Sequence, residues 1–113
     1  MDLSSSRVVV TGAAGGIGAA LARRFHSDGA SVVVSDTNAD GIRTVAAALE
    51  ADRPGSAFAV VADVSTENGN RSLVDESRRL LGGIDLFVAN AGNNNVAIFN
   101  TKISSFYFRL ICF

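Results

Sequence analysis

Short runs of β-branched and other apolar residues recur along this chain, and a stretch of helical periodicity lies between each run and the next. The runs are 7–10 (Arg-Val-Val-Val), 31–34 (Ser-Val-Val-Val), 58–61 (Phe-Ala-Val-Val) and 84–88 (Ile-Asp-Leu-Phe-Val). Each is strand-length and nearly continuous in apolar character, the pattern of a parallel strand covered on both faces. Between them, Ile17, Leu21 and Phe25 recur every four residues, and Ile42, Val45, Ala46 and Leu49 follow the i, i+3, i+4, i+7 pattern. Leu73, Ser77, Leu80 and Leu81 make a third stripe, with Ser65 as its expected N-cap and Glu67 in its first turn. Gly29, Gly41, Gly55 and the pair Gly82-Gly83 punctuate the series. The order β-α-β-α-β-α-β predicts an α/β chain with a doubly wound parallel sheet and right-handed crossovers.

At 113 residues this is one domain, and 48% hydrophobic with 19% charged residues is globular composition rather than disorder. A net charge of −1 gives no electrostatic case for nucleic acid or an anionic membrane as partner. Cys112 is the only cysteine, so no internal disulfide forms, and no metal-ligand cluster is in evidence. The first seven residues lack a basic region leading into a long apolar stretch, and 8–10 is far too short to span a bilayer. A cytoplasmic location is the expectation.

The loop between the first strand and the first helix reads Thr11-Gly12-Ala13-Ala14-Gly15-Gly16-Ile17-Gly18. A glycine cluster alone is often a bare turn. Here it follows a strand and opens a helix, where the pyrophosphate of a dinucleotide sits in a βαβ unit. Gly12 can take a positive φ, Gly16 lets backbone approach phosphate oxygens, and Gly18 lets the helix pack closely on the strand. The free N–H groups and positive dipole end of the helix then face the anion. No Gly-Lys-Ser/Thr closes the loop, so it is not a Walker A loop. Asp36 ends the second strand eighteen positions after Gly18, at the distance for a carboxylate that accepts from ribose hydroxyls. Asp63-Val64 follows the third strand and Asn90-Ala91-Gly92 the fourth.

These motifs, in this order over residues 7–92, resemble the nucleotide-binding half of the short-chain dehydrogenase/reductase family. The loop spacing fits both the single-domain members and their extended relatives; Asn90-Ala91-Gly92 resembles the single-domain signature. The resemblance implies a Rossmann-type sheet of strand order 3-2-1-4 in residues 1–92. It also implies a cofactor site at Gly12, Ala14, Gly15, Gly16, Ile17, Gly18, Asp36, Thr37, Asp63, Val64, Asn90, Ala91 and Gly92. Asp63 and Val64 would meet the adenine, and Asn90 would steady the central strand. Neither Gly15 nor Thr37 is the Arg that NADP-preferring members often carry there, so NAD is expected over NADP.

The family's chemistry needs a Ser and a Tyr-x-x-x-Lys pair. The only Tyr, Tyr107, is followed four positions later by Ile111, and Lys102 precedes it. Ser104 and Ser105 come too early, so no catalytic residue is assigned. His26 is expected to face solvent at the end of the first helix, and Cys112 to be an apolar filler or a free thiol. Residues 93–113 differ in texture from the body: they hold no acid, four of the seven Phe, and the only Lys, Tyr and Cys. They read as an atypical hydrophobic tail joined to a half-domain that stops after strand four, against the alternative of a divergent C-terminus. Their periodicity promises neither helix nor strand, so strand four is expected to be an open edge prone to self-association. Three readings stand: an oxidoreductase ancestry acting on an alcohol or carbonyl, an NAD-binding module without catalysis, and a product with no function of its own.

Overall fold

The computed structural model describes residues 4–90, together with the backbone of 97–103 and 106–112. The elements are β1 (Arg7–Thr11), α1 (Gly16–Ser27), β2 (Ser31–Asp36), α2 (Ala39–Asp52), β3 (Ala57–Val61), α3 (Glu67–Leu81), β4 (Leu86–Ala89), β5 (Ala97–Ile103) and β6 (Phe106–Cys112). They build one sheet of order β3-β2-β1-β4-β6-β5. The first four strands are mutually parallel in the expected order 3-2-1-4, with Val9 opposite Val33 on one side and Phe87 on the other.

Burial on both faces explains the unbroken valine runs. Successive strand residues point to opposite faces. Val8, Val10, Val32 and Val34 pack in one core with α1 and α2, whereas Val9 and Val33 pack in a second with Leu73 and Val74 of α3. All six valines have no exposed surface, so a polar residue at any of them would be stranded. The α2 stripe is the buried face that its spacing predicts: Ile42, Val45, Ala46 and Leu49.

The stripe on α1 is different. Its buried residues are Gly18, Ala19, Ala22 and His26, whereas Ile17 is 63% exposed. Leu21 and Phe25 of the expected stripe are half-buried against the same core, but at its first turn, where Gly18 passes the Gly12 carbonyl, the helix lies too close for a large side chain and Ile17 turns outward. The α3 cap also shifts by one position. Thr66 Oγ1 accepts from the Gly69 N–H at 2.9 Å, while Ser65 spends its hydroxyl and its amide on Asp63.

Strand four is not an open edge. β6 pairs with it in parallel, from Leu86 opposite Arg109 to Ala89 opposite Cys112, and β5 pairs antiparallel with β6. The sheet therefore does not stop after strand four, and its outer strands are β3 and β5. Side-chain periodicity gave no warning because an unpaired strand edge recruits backbone amides and carbonyls, whatever side chains accompany them.

His26 is buried, not solvent-facing. Its Nε2 lies 2.6 Å from Ser56 Oγ, whose own proton goes to the Arg53 carbonyl, so Nε2 is the donor. Arg53 in turn donates to the carbonyls of His26 (3.1 Å) and Ala30 (2.5 Å). The Glu50 carboxylate accepts from the N–H groups of Gly55, Ser56 and Ala57. Together these bonds fasten the end of α1, the end of α2 and the start of β3. At the start of β1, Arg7 makes a two-pronged pair with Asp85 and also donates to the Gly82 carbonyl.

Burial, and after it the charge of Arg53, lower the His26 pKa, against smaller opposing effects of Asp52 and Glu50. A lowered folded-state pKa means the unfolded chain takes the proton more readily. The stabilisation is complete above the ordinary value of 6.5 and is lost as pH falls from there through the folded-state value. Urea unfolding should therefore show lower stability at about pH 5.5 than at about pH 7.5, above the range where carboxylates titrate. His26→Gln, which keeps a donor toward Ser56, should flatten that slope; an unchanged slope would assign it to another group.

Candidate functional site

The crossover from β3 to β4 passes to the opposite side of β1 from β2, so the strand order reverses between β1 and β4. In open α/β sheets this is where a crevice forms beyond the carboxyl ends of the strands. A cleft of about 240 Å³ occupies that place. Gly12, Asp36, Thr37, Asp63, Val64 and Asn90, all singled out in the sequence, line it together. Thr11, Ser35, Ala62 and Ser65 line it as well and were not among the site residues expected from the sequence. Ala14 and Gly15–Gly18 form the adjoining loop and the head of α1. Ala91 and Gly92 lie outside the described residues.

The loop needs glycine for two separate reasons. Gly12 has φ +62°, and a Cβ there would stand 2.9 Å from the Asn90 carbonyl oxygen. Gly18 is ordinary helix, but a Cβ on it would overlap the Gly12 carbonyl oxygen at 2.1 Å. Around the Cβ positions of Gly15 and Gly16 there is nothing within 4 Å. That side of the loop is open.

The head of α1 differs from those of the other two helices. Asn38 caps α2 and Thr66 caps α3 through side-chain oxygens, and each helix has an acid in its first turn. The α1 N-cap is Gly15, with no side-chain cap and no acid in the first turn. The partial positive charge of this terminus and its first N–H groups are thus available to an outside anion.

Asp36 and Asp63 supply the ionisable groups among the cleft lining. Asp36 Oδ2 accepts from the Ala14 N–H at 3.2 Å, and Oδ1 from the Asn38 N–H at 3.1 Å and, at longer range, the Thr37 hydroxyl. Asp63 Oδ1 accepts from both the hydroxyl and the N–H of Ser65, and these bonds hold its pKa below the usual carboxylate range. Asp63 is therefore an ionised acceptor at neutral pH. Thr11 Oγ1 accepts from the Asn90 N–H at 3.0 Å and donates toward the Val88 carbonyl, tying the carboxyl ends of β1 and β4 together. The sequence signal for Thr11 was its place directly before Gly12. Ser35 Oγ is buried without a partner.

A cleft with two acceptor carboxylates, beside an uncapped helix terminus and the open backbone of Gly15 and Gly16, fits a ligand with hydroxyls or amines at one end and phosphate at the other. Among the described residues no group of three or more His, Cys, Asp or Glu could hold a metal ion, and no helix is long and apolar enough to cross a membrane.

A family profile described as short chain dehydrogenase matches residues 6–107, continuing past Gly92 into β6. The chain is 36% identical over 106 residues to a 7alpha-hydroxysteroid dehydrogenase of Escherichia coli, covering 94% of this chain and 41% of that protein. Among solved structures, the 3-ketoacyl-(acyl-carrier-protein) reductase from Brucella melitensis complexed with NADH superposes with TM-score 0.73 at 34% identity. It covers 80% of this chain and 35% of that one. A short chain dehydrogenase from Burkholderia cenocepacia in complex with NADP gives TM-score 0.75 at 36% identity, covering 86% of this chain and 40% of that one. The chain spans 13–41% of the length of the curated relatives it matches.

Two glycine substitutions should separate packing from open space. Gly18→Ala forces a Cβ into the Gly12 carbonyl and should cost about 1–3 kcal/mol in urea unfolding. Gly15→Ala, at an extended backbone position with nothing within 4 Å, should stay within about 0.5 kcal/mol of the parent. Equal effects would mean that the α1–β1 approach is looser than described.

Proposed function

The chain belongs to the short chain dehydrogenase family, and we propose that its cleft binds a nicotinamide adenine dinucleotide, NAD in preference to NADP. The observation that carries this reading is the pairing of the Asp36 carboxylate with the uncapped head of α1 across one glycine loop. In this reading the first-turn N–H groups of α1 take the pyrophosphate, Asp36 accepts from the adenosine ribose, and Asp63 and Val64 meet the adenine edge. Asn90, held by Thr11, borders the far ribose, with Ala91 and Gly92 completing that side. Thr37 supplies no positive charge to receive a 2′-phosphate.

For a whole protein of this family, the proposed activity is hydride transfer between the nicotinamide ring and an alcohol or carbonyl. When bound, the cofactor supplies or receives the hydride; the residues of this chain hold and orient it. The 113-residue chain contains no Tyr-x-x-x-Lys pair to move the accompanying proton. Alone it is a cofactor-binding module. Self-association of the chain belongs to the outermost strands β3 and β5 rather than to strand four, and sedimentation would detect it.

Calorimetric titration should show NAD binding more tightly than NADP by tenfold or more. A 2′-phosphate at about 4–5 Å from Asp36 meets repulsion of roughly 3–4 kcal/mol per unit charge at an effective dielectric of about 20, reduced by salt. Equal affinities would remove Asp36 from the ribose site. The purified chain should give no steady NADH production with a panel of alcohols, because the acid–base groups that contribute about 10²–10⁴-fold in rate are absent. Turnover that disappears in Gly16→Asp would overturn this.

A further inference from the structure

Asp36 does something in the structure that binding a ribose does not require. Its Oδ2 accepts from the backbone N–H of Ala14, in the middle of the glycine loop, at 3.2 Å. The carboxylate is itself held in place by the Asn38 N–H on Oδ1. Ala14 is also pressed from the side of α2: a Cβ on Gly41 would come within 2.7 Å of the Ala14 Cβ. Immediately after Ala14 come Gly15 and Gly16, whose Cβ positions have no neighbour within 4 Å. The next firm contact is Gly18 against the Gly12 carbonyl. Two consecutive glycines in open space carry more backbone freedom than any other pair, so their directions depend on the anchors at either end. On the helix side the anchors are the Gly18 packing and the Ala19 N–H on the Gly15 carbonyl at 3.3 Å. On the strand side Ala13 donates to the Ser35 carbonyl at 3.0 Å, and the Ala14–Asp36 hydrogen bond is the anchor next to the two glycines.

We infer that the Asp36 carboxylate is a positioning residue for the pyrophosphate, through its hydrogen bond to Ala14, in addition to its place at the ribose. This rests on the dinucleotide reading of the cleft. The loop's N–H groups bind phosphate oxygens only when they point inward together. An anchor that fixes them beforehand removes an ordering cost from binding.

The two roles predict opposite signs for a ligand that has no ribose. If Asp36 served the ribose alone, Asp36→Ala would leave inorganic pyrophosphate binding unchanged, or strengthen it by removing a like charge near the anion. A loop anchor predicts weaker binding. Asp36→Asn loses the charge and keeps one acceptor oxygen for the Ala14 or the Asn38 N–H, and protection of the Ala14 amide from exchange shows that it has taken the former.

The experiment is a titration of the full 113-residue chain with inorganic pyrophosphate, followed by amide chemical shifts of Gly15, Gly16 and Gly18. Hydrogen exchange at the Ala14 amide is recorded without ligand. Asp36→Ala should weaken pyrophosphate about two- to tenfold, the range expected for ordering one short loop, and should expose the Ala14 amide to exchange. Asp36→Asn should restore both, with pyrophosphate affinity at or above that of the parent, while its preference for NAD over NADP falls. If the parent and Asp36→Ala bind pyrophosphate alike, or Asp36→Ala binds it more tightly, the anchor is wrong and the dinucleotide reading stands. If Asp36→Asn protects the Ala14 amide yet binds pyrophosphate as weakly as Asp36→Ala, the hydrogen bond to Ala14 is not the cause and the inference fails. If the parent shows no pyrophosphate-dependent shifts at the loop, the reading of the cleft falls and takes this inference with it.

Discussion

The approach of α1 to the end of β1 governs the rest of the molecule. Where Gly18 passes the Gly12 carbonyl there is no room for a methyl group, since a Cβ would sit 2.1 Å from that oxygen. With Gly18 turned inward, the 100° rotation per residue fixes which positions meet the sheet. They are Ala19, Ala22 and His26, all buried, with Leu21 and Phe25 half-buried beside them against the same core. The same rotation sends Ile17 outward and aims the uncapped first turn at the crevice. A larger residue at position 18 would push α1 away from β1, open a gap above Val8 and Val10, and turn the helix terminus off its target.

What the sequence made legible follows from this. The valine runs could be read as two-face-buried parallel strands because so many apolar residues in succession suit a strand covered on both sides, whereas the order 3-2-1-4 came with the family resemblance that the loop motifs carry. The α2 stripe was legible because that helix packs one amphipathic face against the sheet at ordinary distance. The α1 stripe was legible at Leu21 and Phe25 but not at Ile17, because hydrophobicity ranks Ile above Ala whereas the close approach at the first turn selects for size. The cleft residues Gly12, Asp36, Asp63 and Asn90 were legible because each directly follows or ends a parallel strand, and carboxyl ends converge in such a sheet. The burial of His26 was hidden because its partners, Arg53 and Ser56, are supplied by the connection from α2 to β3, about thirty residues further along. The β4–β6 pairing was hidden because it is made by backbone, on which side-chain patterns are silent.

The two ends of the sheet satisfy their polar groups in different ways. At the amino ends, buried and half-buried groups find partners within the chain. Arg7 and Asp85 saturate one another, His26, Ser56 and Arg53 form a closed set, and Glu50 takes three backbone N–H groups that would otherwise lie unpaired at the start of β3. At the carboxyl ends the satisfaction is incomplete. The head of α1 has no side-chain cap, and Ser35 Oγ is buried beside the cleft without a partner. An unpaired buried hydroxyl costs roughly 1–3 kcal/mol, and an uncapped helix about 1 kcal/mol relative to a good cap. Ser77 Oγ, on α3 and outside the cleft lining, is a second buried hydroxyl without a partner, so what marks the cleft is the bare head of α1 lying beside such a group.

That asymmetry also separates what acid does to the fold from what it does to the cleft. The group whose protonation strains the folded state at mildly acidic pH, His26, lies at the amino ends with Arg53 and Glu50, and its burial makes it a stability group. At the cleft, Asp63 is held ionised by the Ser65 hydroxyl and N–H, with a pKa below the usual carboxylate range. Its acceptor character therefore persists through the pH interval in which His26 takes up a proton. Mild acid should thus act on the clamp joining α1, α2 and β3 before it acts on the charge of Asp63. A chain that loses ligand binding in that interval would be losing it through the fold, by way of the α1 packing that sets the glycine loop, and not by neutralisation of Asp63 itself.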